Sequence, residues 1–357
     1  MGALFDFEGS QYLRGFLHCL FIALLSLATG FYFKAFSPMF AAFVYGVIIT
    51  NIVRTPRSLV LGINFCAHQL MEGVVAILGF AVTSPRFDLT IFGVLNSAFI
   101  IFLTLSLSHR LGKKLGLSEN LATLIGVGTS ICGTSAIAVT TVKMDASEEE
   151  TRTVIGCTTL LGLILTIVYP LLFLCTPLNL WLNGDPDAYA LWVGTSIQEV
   201  HNVIAAASIL GSNAFGFAML TKIFRILMLG PTSYFIIHFL SPKKRADSKG
   251  PSITSYLPLY SLLFFMSALV HTSIDAYATE LGRFGALWVG FEDSLQKAVL
   301  PLLLSVALAG AGSSVKIPDL CKMGRKPLSF AALLALIGGS ISLVLTYVML
   351  NVSKVFV

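Results

Sequence analysis

The sequence predicts an all-α polytopic membrane protein of about eleven transmembrane helices, with internal repeats and broken helices meeting at mid-membrane. Three observations carry that prediction. Charged residues make up 11% of the 357 positions and AVILMFWYC residues 56%, against about 25% charged in a soluble domain. Mean hydropathy is +0.85. Runs of roughly twenty apolar residues, the length that crosses a bilayer, recur along the whole chain. A water-exposed surface cannot be built from this composition, which excludes a nucleic-acid-binding protein, a secreted disulfide scaffold and an ordinary cytosolic enzyme. The formal charge of +5 is too small to point to a polyanion partner. Lipid is the expected environment.

Taken in order, the apolar runs cover 12–33, 37–53, 61–83, 89–109, 119–142, 151–175, 188–209, 213–240, 254–272, 287–312 and 328–352. The first follows Arg14 as a signal peptide would. No A-x-A-like site follows and the run continues into FYFKAF, so it reads as a span. The second is short. The fifth and seventh are interrupted by Gly and hydroxyl residues. The sixth opens after DASEEE (145–150), a solvated outer loop whose carboxylates sit favourably at a helix N-terminus. SPKKRADSKGPS (241–252), the longest hydrophilic stretch, reads as a cytoplasmic loop. The whole of 1–357 is expected to form one transmembrane domain, with repeat halves at about 37–175 and 188–352.

Loop charge supports the count. With eleven spans, one side holds Arg14, Arg54, Arg57, Arg110, Lys113, Lys114, Lys243, Lys244, Arg245, Lys249, Lys316, Lys322, Arg325 and Lys326. The other holds only Lys34, Arg86, Lys143, Arg152, Arg283, Lys297 and Lys354. The basic side is cytoplasmic, which places the N-terminus in the cytoplasm and the C-terminus in the periplasm of a bacterial inner membrane. The six cysteines, Cys19, Cys66, Cys132, Cys157, Cys175 and Cys321, form no CxxC pair and have no His at ligand spacing. No metal or other cofactor is expected.

Four charges fall inside spans: Glu72, Glu199, Lys222 and Arg225. Facing lipid they would cost about 10 kcal/mol together, so they are expected to face the protein interior, with Glu199 opposite Lys222 and Arg225. His68 and His201 lie at similar depth. The strongest local signal is GVGTSICGTSAIAVTT (126–141). Glycine interrupts a helix and hydroxyls satisfy the freed backbone groups. A half-helix starting near Gly133 would aim N–H groups and a positive dipole end at an anion. WVGTSIQEVHNVIAAAS (192–208) repeats the GTSI of 128–131 at 194–197, and LMEGVVAILGFAV echoes LPLLLSVALAGAG. Repeats with broken helices at the midplane are the signature of secondary transporters. Spans three and ten have the opposite parity of an inverted repeat. Spans five and seven have the same parity, which leaves open whether one is re-entrant.

The expected anion site therefore comprises backbone and hydroxyls of Gly128, Thr129, Ser130, Cys132, Gly133, Thr134 and Ser135, with Thr195 and Ser196. Lys222 and Arg225 supply positive charge. Glu199, Glu72, His201 and Asn202 are the counter-ion or coupling candidates. Protons would use Glu199, Glu72 or His201, and sodium would use Asn51, Asn64 or Asn202.

In these same elements the chain resembles the YeiH-type family of bacterial inner-membrane proteins, named as sulfate exporters. The resemblance rests on GINF (62–65), GTSICGTSAIA (128–138), GTSIQEV (194–200), Lys222-x-x-Arg225 with Pro231, ALAGAGSSVK (307–316) and GRKPL (324–328). It implies a many-helix secondary transporter, distantly related to bile-acid and auxin carriers, that exports sulfate or sulfite-like anions. This chain departs from the family where SIHEVAQV is usual: it reads Ser196-Ile197-Gln198-Glu199-Val200-His201-Asn202-Val203. Gln198 replaces the family histidine, and His201 lies three positions on. Family members often carry a basic residue near Glu72. The expected function is a non-enzymatic carrier of a small anion working by alternating access. The alternatives are an anion channel, a sodium-coupled organic-anion carrier and an intramembrane enzyme, the last without any HExxH or GxSxG motif. A homodimer remains open.

Overall fold

In hydrocarbon every backbone polar group must find its partner internally, which favours helices, and the regular structure among the described residues is helical throughout. The computed structural model describes residues 2–33, 37–53, 55–82, 87–236, 258–277, 283–320 and 323–356. The helices are α1 (Gly2–Tyr32), α2 (Pro38–Val53), α3 (Val60–Phe65), α4 (Met71–Leu78), α5 (Phe87–Lys114), α6 (Glu119–Ser130), α7 (Thr134–Met144), α8 (Glu148–Cys175) and α9 (Leu178–Trp181). They continue as α10 (Pro186–Ser196), α11 (Val200–Ala207), α12 (Ser212–Leu227), α13 (Leu229–Phe235), α14 (Leu259–Tyr277), α15 (Arg283–Ser294), α16 (Leu300–Ser314), α17 (Ile317–Leu320) and α18 (Arg325–Phe356). A π-helical turn at Cys66–Leu70 joins α3 to α4, and another at Leu295–Val299 joins α15 to α16.

Seven helices among the described residues are long and apolar enough to cross a membrane: Ser10–Tyr32, Arg57–Ala81, Leu89–Lys114, Glu148–Cys175, Ala214–Thr232, Leu287–Ser314 and Arg325–Asn351. The chain is a multi-pass membrane protein. Pro38–Val53 and Leu259–Asp275 are apolar but shorter. The fifth and seventh expected spans are each two helices, α6 followed by α7 and α10 followed by α11. The expected cytoplasmic loop 241–252 lies outside the described residues.

The helix boundaries follow local chemistry. Ser118 caps α6 by accepting the Leu121 N–H. Ser147 and Glu150 form a reciprocal capping box that opens α8, so the acidic run 148–150 is the first turn of that helix. Asp185 caps α10 with Pro186 in its first turn, the position where the missing N–H costs nothing. Asp145, at φ 48°, ends α7.

The chain forms two compact units. The first comprises residues 1–84, 208–216 and 262–318. Here α16 packs on α2, on α1 and on the π-turn at Cys66–Leu70. The α2–α16 contact is backbone to backbone: a Cβ on Gly312 would stand 2.2 Å from Phe43 O, and one on Gly46 2.5 Å from Ala309 O. Lipid tails are as apolar as the helices, so close packing through small residues supplies the association. Asn51 ties the end of α2 to the end of α16, donating to Val47 O and Val315 O and accepting from the Ile317 N–H.

The second unit comprises residues 85–207, 217–261 and 319–357. Its core joins Leu124 and Ile125 of α6, Ile137 of α7, Val154, Cys157 and Leu161 of α8, and Phe330, Ala331 and Leu334 of α18. Trp192 of α10 stacks on Tyr169 of α8, ring centroids 4.0 Å apart, and donates to Gly339 O of α18 at 2.9 Å. The elements that build the site are thereby held on α8 and α18.

Candidate functional site

The GTSI tetrapeptide ends a helix in both places where it occurs. α6 stops at Ser130 with Ile131 as its C-cap, and α10 stops at Ser196 with Ile197 as its C-cap. A helix end leaves its last carbonyls without intrahelical partners and carries partial negative charge. In the second unit both ends are met by cations from one face of α12. Lys222 Nζ donates to Ile131 O (2.9 Å), Ile197 O (2.9 Å) and Gln198 O. Arg225 donates from Nε to Ser130 O, from Nη1 to Thr195 O (2.6 Å) and Ile197 O (3.2 Å), and from Nη2 to Thr129 O (2.7 Å). Lys222 is 0% exposed and Arg225 1%. Hydrogen bonds to a charged group contribute about 1.5–3 kcal/mol each. Three or four per side chain outweigh the roughly 2.5–3.5 kcal/mol that an intramembrane charge costs.

The following helices begin where the carboxylate lies. α7 starts at Thr134, and the Gly133 N–H donates to Gln198 O at 3.4 Å, which joins the two interruptions. Glu199 stands at the start of α11, its carbonyl accepting the first helical bond from Val203. Its side chain reaches the start of α7. A Cβ on Gly133 would lie 2.6 Å from both Cγ and Oε1 of Glu199, so only glycine leaves the carboxylate its place. Thr134 and Thr159 hydroxyls donate to Oε1, each at 3.4 Å, and His201 Nε2 stands 2.9 Å from Oε2. Two cations therefore sit on two helix C-termini, and one carboxylate sits among two helix N-termini. Glu199 is 4% exposed, His201 is partly exposed and Thr134 is open to the surface, so the cluster has a route outward.

Comparison with known proteins places the chain. The family described as conserved hypothetical protein 698 matches residues 14–331. The chain belongs to this family. Its relatives include a UPF0324 membrane protein of Corynebacterium glutamicum, 30% identical over 326 residues, spanning 90% of this chain and 88% of that protein. Another is the UPF0324 membrane protein of Streptococcus pneumoniae, 26% identical over 329 residues, 89% of this chain and 92% of the relative. A third, from Yersinia pestis, is 27% identical over 308 residues, 84% and 82% respectively. No solved structure matches the chain.

This is the YeiH-like family that the motifs resemble, and the structure shows what those motifs build in this member. Thr129 and Ser130 turn their hydroxyls back onto α6, and Thr195 bonds Leu191 O and Ser342 Oγ. What they present to the cations is the carbonyl. Gly128 is a packing contact, its Cβ position 2.9 Å from Ile137 and Thr158 side chains. Cys132 accepts from Ser135 Oγ at 3.1 Å, and Ser196 is buried. Lys222 and Arg225 do not form the expected pair with Glu199. All three ammonium N–H groups of Lys222 go to carbonyls, and the side chain in contact with Glu199 Oε2 is the imidazole of His201, Nε2 at 2.9 Å. Glu72 is exposed in the first unit, not turned to its interior as expected, because the face of α4 that packs carries Met71, Val74, Val75 and Leu78. His68 shares that exposure. Asn202 lies on α11 against Gly162 of α8.

Thr159 and Gln198 belong to the cluster, and neither is among the expected site residues. A threonine in GCTTLLG carries no pattern of its own. Gln198 stood out only as the residue in place of the family histidine.

Proposed function

We propose that this protein is a secondary active transporter of a small anion, of the sulfate or sulfite class, that works by alternating access in a bacterial inner membrane. The observation that carries the reading is the junction of two interrupted helices, α6–α7 and α10–α11, within a membrane protein. Non-helical backbone at membrane depth is tolerated where it is buried or lines a cavity, and discontinuous helices with N-termini aimed at an anionic group are how many carriers hold substrate. In this reading both interrupted elements lie at mid-membrane, and the substrate anion binds at the starts of α7 and α11. The donors are first-turn N–H groups with the Thr134 and Ser135 hydroxyls. Lys222 and Arg225 hold the opposite helix ends and keep the junction positive enough to admit an anion. No residue is assigned a catalytic role. The resemblance to exporters makes export the working direction, with the N-terminus cytoplasmic and the C-terminus periplasmic.

Counterflow tests this. Proteoliposomes preloaded with unlabelled sulfate or sulfite should transiently accumulate the labelled anion from outside, and the rate should saturate. Flux proportional to driving force, without exchange, would make the protein a channel. Absence of movement for both anions would overturn the assigned substrate class.

A further inference from the structure

We infer that the substrate anion and a proton bind together, because the Glu199 carboxylate occupies the anion's own place at the start of α7. The inference rests on the transporter reading above and says how the site is coupled. A carboxylate held at a helix N-terminus and bonded by Thr134 and Thr159 hydroxyls makes the contacts that a substrate oxyanion would make. Two anions cannot share those donors. Glu199 must lose its charge before an external anion can enter.

The groups around Glu199 supply the means. From α7 it meets Gly133 and Thr134, and from α8 Thr159. Lys222 of α12 bears on it electrostatically, but its three N–H groups go to carbonyls, and Arg225 makes four further bonds to carbonyls. Cys132, beside the same interruption, accepts from Ser135. His201, partly exposed, is the titratable group in direct contact with the carboxylate. A proton taken from water by the imidazole passes from Nε2 to Oε2, leaving both side chains neutral. The Thr134 and Thr159 hydroxyls that held the carboxylate then turn to the incoming anion, together with the first-turn N–H groups of α7.

A second observation marks this junction as a ligand site. The side-chain amide of Gln198 is 0% exposed and makes no hydrogen bond at either Oε1 or Nε2. Asn202 Oδ1, one turn beyond Glu199 along the seam with α8, is likewise buried without a partner. Buried polar groups without partners are rare in folded proteins and point to a bound water or ligand. The coupling also has a consequence for direction. One proton leaves a divalent anion with one net negative charge, so an inward proton gradient favours entry while an inside-negative membrane potential favours export.

The test is anion binding to the purified full-length protein between pH 5 and 8.5, with sulfate, thiosulfate, nitrate and chloride as probes. Each keeps constant charge over that range, so any pH dependence belongs to the protein. Affinity should fall by about tenfold per pH unit once Glu199 ionises, the slope for one linked proton. One proton should be taken up from a weakly buffered solution per anion bound. Glu199→Gln, a mimic of the protonated acid, should bind with the low-pH affinity of the unmodified protein at every pH. Glu199→Asp should keep the pH slope. Binding that is independent of pH and takes up no proton would overturn the coupling and leave the transporter reading standing. Folded Glu199→Gln protein that binds none of the anions that the unmodified protein binds would also overturn it. If the unmodified protein binds no probe at any pH, the transporter reading falls and the coupling falls with it.

Discussion

Arg225 gathers four backbone carbonyls. Its guanidinium serves carbonyls of Thr129, Ser130, Thr195 and Ile197, from two different helix ends. Lysine has no planar fork with which to replace that reach. Arg225→Ala should lower unfolding stability in detergent, since each helix-end carbonyl left buried without a donor costs about 1–3 kcal/mol. A variant with unchanged thermal stability and lost anion binding would mean that the guanidinium serves the ligand instead of the helix ends. Gly133 makes the complementary prediction. Its Cβ would press on Glu199, so Gly133→Ala should reduce transport by more than about tenfold, a contact effect of the size that adjacent residues share. The shorter acid should relieve that contact, and Gly133→Ala combined with Glu199→Asp should recover part of the rate. Additive losses in the double variant would show that the two positions do not touch.

At the scale of elements, what holds α6–α7 and α10–α11 in place is capping and close approach, since apolar burial drives little association in lipid. Ser147→Ala removes the reciprocal cap of α8, the helix that carries Thr159, and should cost about 1 kcal/mol in thermal unfolding. Gly312→Leu should be far more severe. Its side chain would have to displace the α2 backbone at Phe43 O, and the variant should fail to yield folded protein. Folded material at normal yield would contradict the tight α2–α16 contact. These elements also show how far sequence reasoning reached. The repeat of GTSI, the glycine at 133 and the charges at 199, 222 and 225 were visible as residue types out of place in apolar runs. Helix termination within both runs followed from that chemistry. The partners of those charges were not visible, because hydrogen bonds to carbonyls leave no mark on residue identity. Lys222 and Arg225 read as partners of Glu199 by charge alone, whereas orphaned carbonyls at two helix ends compete for them more effectively. Glu72 read as interior by the same rule of charge, and the packing face of α4 runs elsewhere.

For the whole molecule, the arrangement proposed here needs an odd number of crossings, with both interrupted elements traversing the bilayer. Alkaline phosphatase fused after Val357 should then be active, and a fluorescent protein there should be dark when exported in an unfolded state. The opposite pattern would mean that one interrupted element is re-entrant. The account depends most on one statement, that an anion binds where α7 and α11 begin and not on the cations of α12. The direct measurement is the anomalous scattering of selenate soaked into crystals of the Glu199→Gln protein. The predicted result is a selenium peak within hydrogen-bonding reach of the Thr134 hydroxyl and the first-turn N–H groups of α7 and α11, with Lys222 and Arg225 still bound to their carbonyls. A peak seated on Lys222 or Arg225, with the helix-end carbonyls released, would contradict it.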